Sequence, residues 1–116
     1  MNEVEDVVGD SATVKVMLNN YRTNALIDSG ARCSVIDLGS LSAIGMDKAI
    51  KNTEKRLFNA SGNKMDILGV VDIEVKSDKI SPIVQEFKVL NTRTYSNILL
   101  GRDFMQQFGQ VKFDSR

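Results

Sequence analysis

The sequence contains no histidine and no tryptophan, and it has only one proline and one cysteine. Without histidine, the Ser-His-Asp and Cys-His forms of nucleophilic catalysis and the common zinc sites are excluded. The single cysteine, Cys33, cannot form a disulfide within the chain and fits a reducing compartment, so we expect an intracellular, cytoplasmic location. Any acid–base chemistry must come from carboxylates, Lys, Tyr, Cys or a bound ion.

Long apolar runs and an excess of one charge are also missing. Fifteen basic residues balance fifteen acidic ones, so we expect no nucleic acid and no anionic membrane as partners. No segment approaches the roughly 18 apolar residues of a membrane-spanning helix, and the acidic residues 1–6 do not resemble a secretory signal. The 116 residues are expected to form one domain, residues 12–114, after an N-terminal extension, residues 1–11.

Short runs of β-branched and apolar residues, separated by turn residues, predict a mainly β fold class. Asn19 and Asn20 form the first of these turns, and Gly69 inside a strand predicts a bulge or a close approach. The strands are predicted at residues 12–18, 21–27, 33–36, 65–75, 84–90, 97–100 and 111–114.

Helix and turn signals complete this outline. Ser40 as N-cap predicts a short helix over residues 40–44, and the spacing of two phenylalanines predicts a clearer one over residues 103–108. A turn is expected at residues 79–82, which hold the only proline. Residues 56–75 are expected to form a long hairpin whose tip, residues 60–63, has small side chains.

The most informative segment surrounds Asp28, which follows an apolar strand and precedes Ser29 and Gly30. A carboxylate in apolar surroundings is costly unless it has a partner or a role. Ser29 can bond to backbone or to a symmetry mate, and Gly30 permits a close backbone approach. Most Asp-Ser-Gly triplets are ordinary turns, so the triplet by itself is weak support for a functional site.

The wider context is more specific. Asp28-Ser29-Gly30-Ala31, the later Leu99-Leu100-Gly101 and the small hairpin tip between them resemble the retropepsins. These are the aspartic proteases of retroviruses and retrotransposons, together with their cellular relatives. The resemblance covers about residues 12–114 and implies a retropepsin-like acid-protease half-barrel with a flap hairpin and one short C-terminal helix.

The resemblance also implies roles for particular residues. Asp28 would be the catalytic carboxylate, with Ser29 and Gly30 in the same catalytic loop, and neither a metal nor a cofactor is implied. The implied substrate-binding residues are Leu26, Ala31, Arg32, Cys33, Val35, Ala60, Ser61, Gly62, Asn97 and Leu99.

A single catalytic loop is insufficient for this chemistry. Peptide hydrolysis by this route needs two carboxylates that share one proton, because two like charges about 3 Å apart cannot both ionise. The chain offers one complete Asp-Ser-Gly loop, so the second Asp28 must come from a second copy. The resemblance therefore implies a two-fold homodimer acting on a polypeptide substrate.

Three interpretations stay open. The chain is an active endopeptidase, a catalytically inactive retropepsin-like domain for dimerisation or peptide binding, or a plain β-barrel with a chance Asp-Ser-Gly. Arg32 stands where many retropepsins carry an acidic residue, which pairs with the arginine matching Arg102. Two arginines would therefore approach each other unless Asp103 or Asp37 separates them. Cys33 is either a packing residue or a redox switch.

Overall fold

The computed structural model describes residues 11–59, 61–91 and 97–107. Most of these residues lie in strands, which confirms the mainly β prediction. The strands are β1 (Ser11–Leu18), β2 (Tyr21–Asp28), β3 (Ser34–Asp37), β4 (Leu57–Phe58), β5 (Lys64–Met65), β6 (Ile67–Ser77), β7 (Ile80–Leu90) and β8 (Ile98–Leu100). The helices are α1 (Leu38–Ala43), a 3₁₀ turn (Asp47–Ala49) and α2 (Arg102–Gln107).

Six of the described strands close a barrel in the order β1-β2-β8-β3-β7-β6. The pairs β1–β2 and β6–β7 are antiparallel hairpins, and β1 pairs with β6 to close the barrel. Strand β8 runs parallel to β2 on one side and antiparallel to β3 on the other. It therefore lies between the two strands that hold the ends of the Asp28 loop. The remaining pair, β4–β5, forms a separate short hairpin. The prediction of one long hairpin over residues 56–75 is therefore wrong, because β6 pairs with β7 instead.

The core follows from strand alternation. Val71, Ile73 and Val75 of β6 are fully buried, as are Phe87 and Val89 of β7, whereas the residues between them are not. Burying each side chain of this size contributes roughly 1.5–3 kcal/mol. The barrel interior is completed by Leu18, Ile36, Leu100 and Phe104.

Two local predictions are confirmed at the backbone level. Asn19 and Asn20 both have positive φ, 51° and 68°, as a two-residue hairpin turn with right-handed strand twist requires. Gly69 lies at a register shift of β6, with φ 153°. A β-carbon at Gly69 would overlap the carbonyl group of Lys51, so the predicted close approach is real.

Two other predictions are wrong in detail. The predicted turn over residues 79–82 is instead a tight turn at residues 78–79, and β7 begins at Ile80 and includes Pro82. Pro82 lies beside the register shift between Val75 and Ser77, where a strand tolerates a residue without an N–H. Helix α1 begins at Leu38, and its N-cap is Asp37, three residues before the predicted N-cap Ser40.

Some predictions fall on residues outside the described part of the chain: Ala60, Phe108, and the strand at residues 111–114. Within the described ranges, no helix is long and apolar enough to cross a membrane.

Candidate active site

Asp28 ends β2, and its side chain is held by the loop that follows. The backbone N–H of Gly30 donates to Asp28 Oδ1 at 2.9 Å, and the N–H of Ala31 donates to the carbonyl oxygen of Asp28 at 3.1 Å. Asp28 and Ser29 are both half-buried. The loop therefore fixes the carboxylate at a position that a substrate can reach.

The start of α2 packs under this loop. The N–H of Arg102 donates to Ala31 O at 2.8 Å, and the N–H of Asp103 donates to Arg32 O at 3.2 Å. The first N–H groups of a helix have no partners within the helix, so here the loop carbonyls accept from them. The segment Leu99-Leu100-Gly101, on which part of the family resemblance rests, thus lies against the Asp28 loop.

A polar network below the loop was missed by the sequence analysis. Asp103 accepts from Ser34 N–H at 3.2 Å, from Ser34 Oγ at 2.8 Å and from Gln85 Nε2 at 2.9 Å. Ser34 Oγ in turn accepts from the N–H of Gly101 at 3.1 Å, and Gln107 Nε2 donates to Gln85 Oε1. Ser34 and Gln85 are buried. The sequence does contain a signal for this network. Ser34 and Gln85 are polar residues at buried positions of the strands predicted at residues 33–36 and 84–90.

This network gives Asp103 a structural role. Its carboxylate is turned toward Ser34 and Gln85, so it stabilises the junction of β3, β7 and α2 and is not placed between Arg32 and Arg102. Asp37 is at the far end of β3, where its N–H donates to Asn97 O at 3.0 Å. Within the described residues neither arginine forms an ion pair, and both are exposed.

Strand pairing aligns three of the predicted substrate-binding residues. Leu26 is paired with Leu99, and Leu99 with Val35. Paired residues project from the same face of a sheet, so these side chains form a strip beside the loop, which we call the apolar strip. Leu26 and Val35 are half-buried, and Leu99 is 7% exposed.

Lys88 extends the apolar strip, because Val35 is also paired with Lys88. Its Nζ lies 3.5 Å from Cys33 Sγ and donates to Arg56 O at 2.9 Å. These contacts hold the ammonium group at the end of the Asp28 loop. The sequence analysis did not identify Lys88, since a lysine between buried residues of a strand is usually only a solvent-facing residue.

The β4–β5 hairpin carries the predicted tip residues. Ser61 and Gly62 are exposed, and Asn59 Oδ1 accepts from the N–H groups of Ser61 and Asn63 at 2.9 and 3.0 Å. Phe58 is 56% exposed although it is a large apolar residue. The contact between Lys88 and Arg56 O joins the base of this hairpin to the side of the Asp28 loop. Asn97, another predicted binding residue, is exposed directly before β8.

Two ion pairs lie on the outer face of β6 and β7. Lys51 contacts Asp72 at 3.1 Å, and Lys55 contacts Glu86 at 2.7 Å. The hydrogen bond with Glu86, together with its negative charge, raises the pKa of Lys55 above its ordinary value. These pairs are exposed and contribute little to stability, but each neutralises the negative charge of one carboxylate.

Comparison with known proteins gives a family and a fold. The profile of the family described as "gag-polyprotein putative aspartyl protease" matches residues 14–107. The structure is similar to EIAV protease complexed with an inhibitor, with 21% identity, 88% of this chain and 91% of that chain covered, and a TM-score of 0.68. No curated protein sequence matches.

Two further solved structures are similar. One is the retroviral protease-like domain of Ddi1 from Leishmania major, with 18% identity, 82% and 70% of the two chains covered, and a TM-score of 0.64. The other is a retropepsin-like aspartic protease from Rickettsia conorii, with 17% identity, 82% and 69% covered, and a TM-score of 0.57. At these identities the likeness concerns the fold.

Proposed function

Since this chain belongs to the gag-polyprotein aspartyl protease family and has the retropepsin fold, we propose that it is an aspartic endopeptidase acting on polypeptides. The observation that carries the proposal is the geometry of Asp28. Its carboxylate accepts from Gly30 N–H at 2.9 Å at the end of a barrel strand, beside the apolar strip of Leu26, Leu99 and Val35. A carboxylate beside an apolar surface can activate a water molecule next to a bound peptide.

The proposed reaction uses two copies of Asp28 that share one proton. The ionised carboxylate removes a proton from a water molecule, whose oxygen attacks the carbonyl carbon of the scissile bond. The protonated carboxylate gives its proton to the carbonyl oxygen, and a neutral tetrahedral diol forms. The first carboxyl then returns its proton to the amide nitrogen while the second carboxylate removes a proton from a diol hydroxyl. The C–N bond breaks, a carboxylic acid and an amine are released, and the pair again holds one proton.

The second carboxylate is proposed to come from a second copy of the chain. Asp103 is occupied by Ser34 and Gln85, and Asp37 lies at the opposite end of β3 from the Asp28 loop. A homodimer with its two-fold axis at Asp28 supplies the missing group by symmetry. Ser29 lies next to that axis in this arrangement, where its hydroxyl can bond across the dimer.

We assign the β4–β5 hairpin as a flap that closes over the substrate. Its tip is held by hydrogen bonds to the side chain and the backbone of Asn59. Exposed Phe58 offers an apolar surface that closure can bury. Closure of such a segment excludes water other than the attacking molecule.

The alternative is a catalytically inactive domain that serves dimerisation or peptide binding. It is favoured by exposed Arg32 and Arg102, which have no carboxylate partner among the described residues. Cleavage of a random peptide library, with and without pepstatin, tests both functions. An endopeptidase gives products that pepstatin and Asp28→Asn abolish, whereas an inactive domain binds peptides and gives none.

A further inference from the structure

Two basic residues, Arg32 and Lys88, lie within or against the Asp28 loop, and a third, Arg56, adjoins Lys88 through its backbone. Arg32 is exposed within the loop. Lys88 is held at the end of the loop, with its Nζ 3.5 Å from Cys33 Sγ. The same Nζ donates to Arg56 O at 2.9 Å, so the backbone of the exposed Arg56 lies beside Lys88. We call Arg32, Arg56 and Lys88 the cationic rim.

No carboxylate among the described residues pairs with the cationic rim. Asp72 and Glu86, on the neighbouring outer face of the barrel, are paired with Lys51 and Lys55. Exposed Glu74 lies further along β6, opposite Val84. Asp103 is directed toward Ser34 and Gln85. The chain has a net charge of zero, so the rim is a local arrangement and not a consequence of a basic composition.

The rim extends the apolar strip that the proposed function assigns to substrate. Lys88 is paired with Val35, and Val35 with Leu99, so the apolar strip is continued by a positively charged residue. Arg32 follows Asp28 by four residues, which places their Cα atoms at most about 14 Å apart. An extended peptide advances roughly 3.3 Å per residue, so about four residues reach from the scissile bond to the rim.

We propose that this cleft selects polypeptide segments with an acidic side chain within about four residues of the scissile bond, bound by Arg32 and Lys88. The planar guanidinium of Arg32 can bind a carboxylate through two parallel hydrogen bonds. Lys88 adds a charge that the protein already holds in place through Cys33 and Arg56. This specificity rests on the proposed endopeptidase function, and the two-fold dimer would present the same charges on both sides of the bond.

The test compares peptides that differ only in having Glu, Gln or Lys at one position within four residues of a cleaved bond. Cleavage by the wild type is measured as kcat/KM, and binding of the same fluorescent peptides to Asp28→Asn is measured by anisotropy. The assays are run above about pH 5, where a peptide Glu is ionised. Glu peptides are expected to be preferred over Lys peptides on the order of tenfold at one or more positions, and less so at high salt.

Charge reversal identifies the residues responsible. Arg32→Glu and Lys88→Glu are each expected to remove or invert the preference. Lys79→Glu is the matched control for Lys88, because it lies nine residues away on the same hairpin, roughly 30 Å along the strand. Arg22→Glu is the control for Arg32, six residues before Asp28 in β2, about 20 Å away. Arg32→Gln and Lys88→Gln provide milder variants where reversal prevents folding.

The outcomes separate the inference from the proposed function. A wild-type protein that cleaves peptides without preference for Glu, or that keeps the preference in both the Arg32 and the Lys88 variants, overturns the inference and leaves the protease intact. Protein that cleaves nothing overturns the proposed function. In that case the anisotropy data, by themselves, show whether the protein binds Glu peptides more tightly than Lys peptides. A weaker dimer in Arg32→Glu with an unchanged preference assigns Arg32 to the subunit interface and also overturns the inference.

Discussion

Gly101 lies so close to Cys33 that a β-carbon on Gly101 would stand 2.6 Å from the carbonyl oxygen of Cys33. The same β-carbon would be 2.9 Å from Ala31 O. Both neighbours are backbone atoms of the Asp28 loop, so neither can move without moving the loop. The contact joins α2 to the proposed catalytic loop more rigidly than side-chain packing alone.

Gly101→Ala is therefore expected to displace the loop and to reduce both stability and cleavage. Overpacking against a fixed backbone costs roughly 1–3 kcal/mol, which urea denaturation can measure. Gly39→Ala in α1 is the matched control, because its nearest neighbour is a side-chain oxygen, Asp37 Oδ2 at 3.2 Å. There the helix gains an alanine, so the free energy of unfolding should change little. Equal losses in both variants would contradict the special role of Gly101.

Asp103→Asn is expected to destabilise the protein by roughly 1–3 kcal/mol, because an amide nitrogen would replace a carboxylate oxygen among donors from Ser34 and Gln85. The measurement is the urea midpoint together with kcat/KM. Asp72→Asn changes an exposed carboxylate bound to Lys51 and should leave stability nearly unchanged. An Asp103 variant as stable as the Asp72 variant would show that the buried network contributes nothing.

A homodimer is expected at micromolar concentration in analytical ultracentrifugation, and Asp28→Asn should dimerise at least as well as the wild type. Asparagine keeps the size of the side chain and removes the electrostatic repulsion between two titratable carboxyl groups at the axis. The proposed catalytic pair would not exist in a chain that remains strictly monomeric at near-millimolar concentration.

Hydrogen exchange is expected to be fast at residues 61–63 and slow at Leu26 and Ile27. The hairpin tip is exposed, and its N–H groups bond only locally, to the side chain and the backbone carbonyl of Asn59. Leu26 and Ile27, in contrast, are paired with β1 on one side and β8 on the other. Local opening needs few broken contacts at the tip and many in the barrel. Equal protection of the two regions would contradict the flap assignment.

The barrel strands could be predicted from the sequence because their signals are local. The Asp28 loop was identified through its combination with the distant Leu99-Leu100-Gly101. Alternation identifies β6 and β7, and the Asn19-Asn20 turn identifies the β1–β2 hairpin. The buried network could not be predicted, since it joins Ser34 to Asp103 across 69 residues. The position of Lys88 depends on the pairing of β3 with β7, and parallel pairing has no short-range signal. Pro82 was misplaced because a register shift accommodates it within a strand.

The pH dependence of kcat/KM for wild type and Asp28→Asn, measured on one peptide selected from a library, tests the central claim most directly. A shared proton between two Asp28 carboxylates predicts a bell-shaped profile in acid to weakly acidic solution, with both limbs belonging to the pair. No imidazole can add a limb near neutrality, because the chain has no histidine. The account predicts this profile for the wild type and no turnover for Asp28→Asn. Cleavage that survives in Asp28→Asn, or a wild-type dimer that cleaves nothing between about pH 3 and about pH 7, would contradict it.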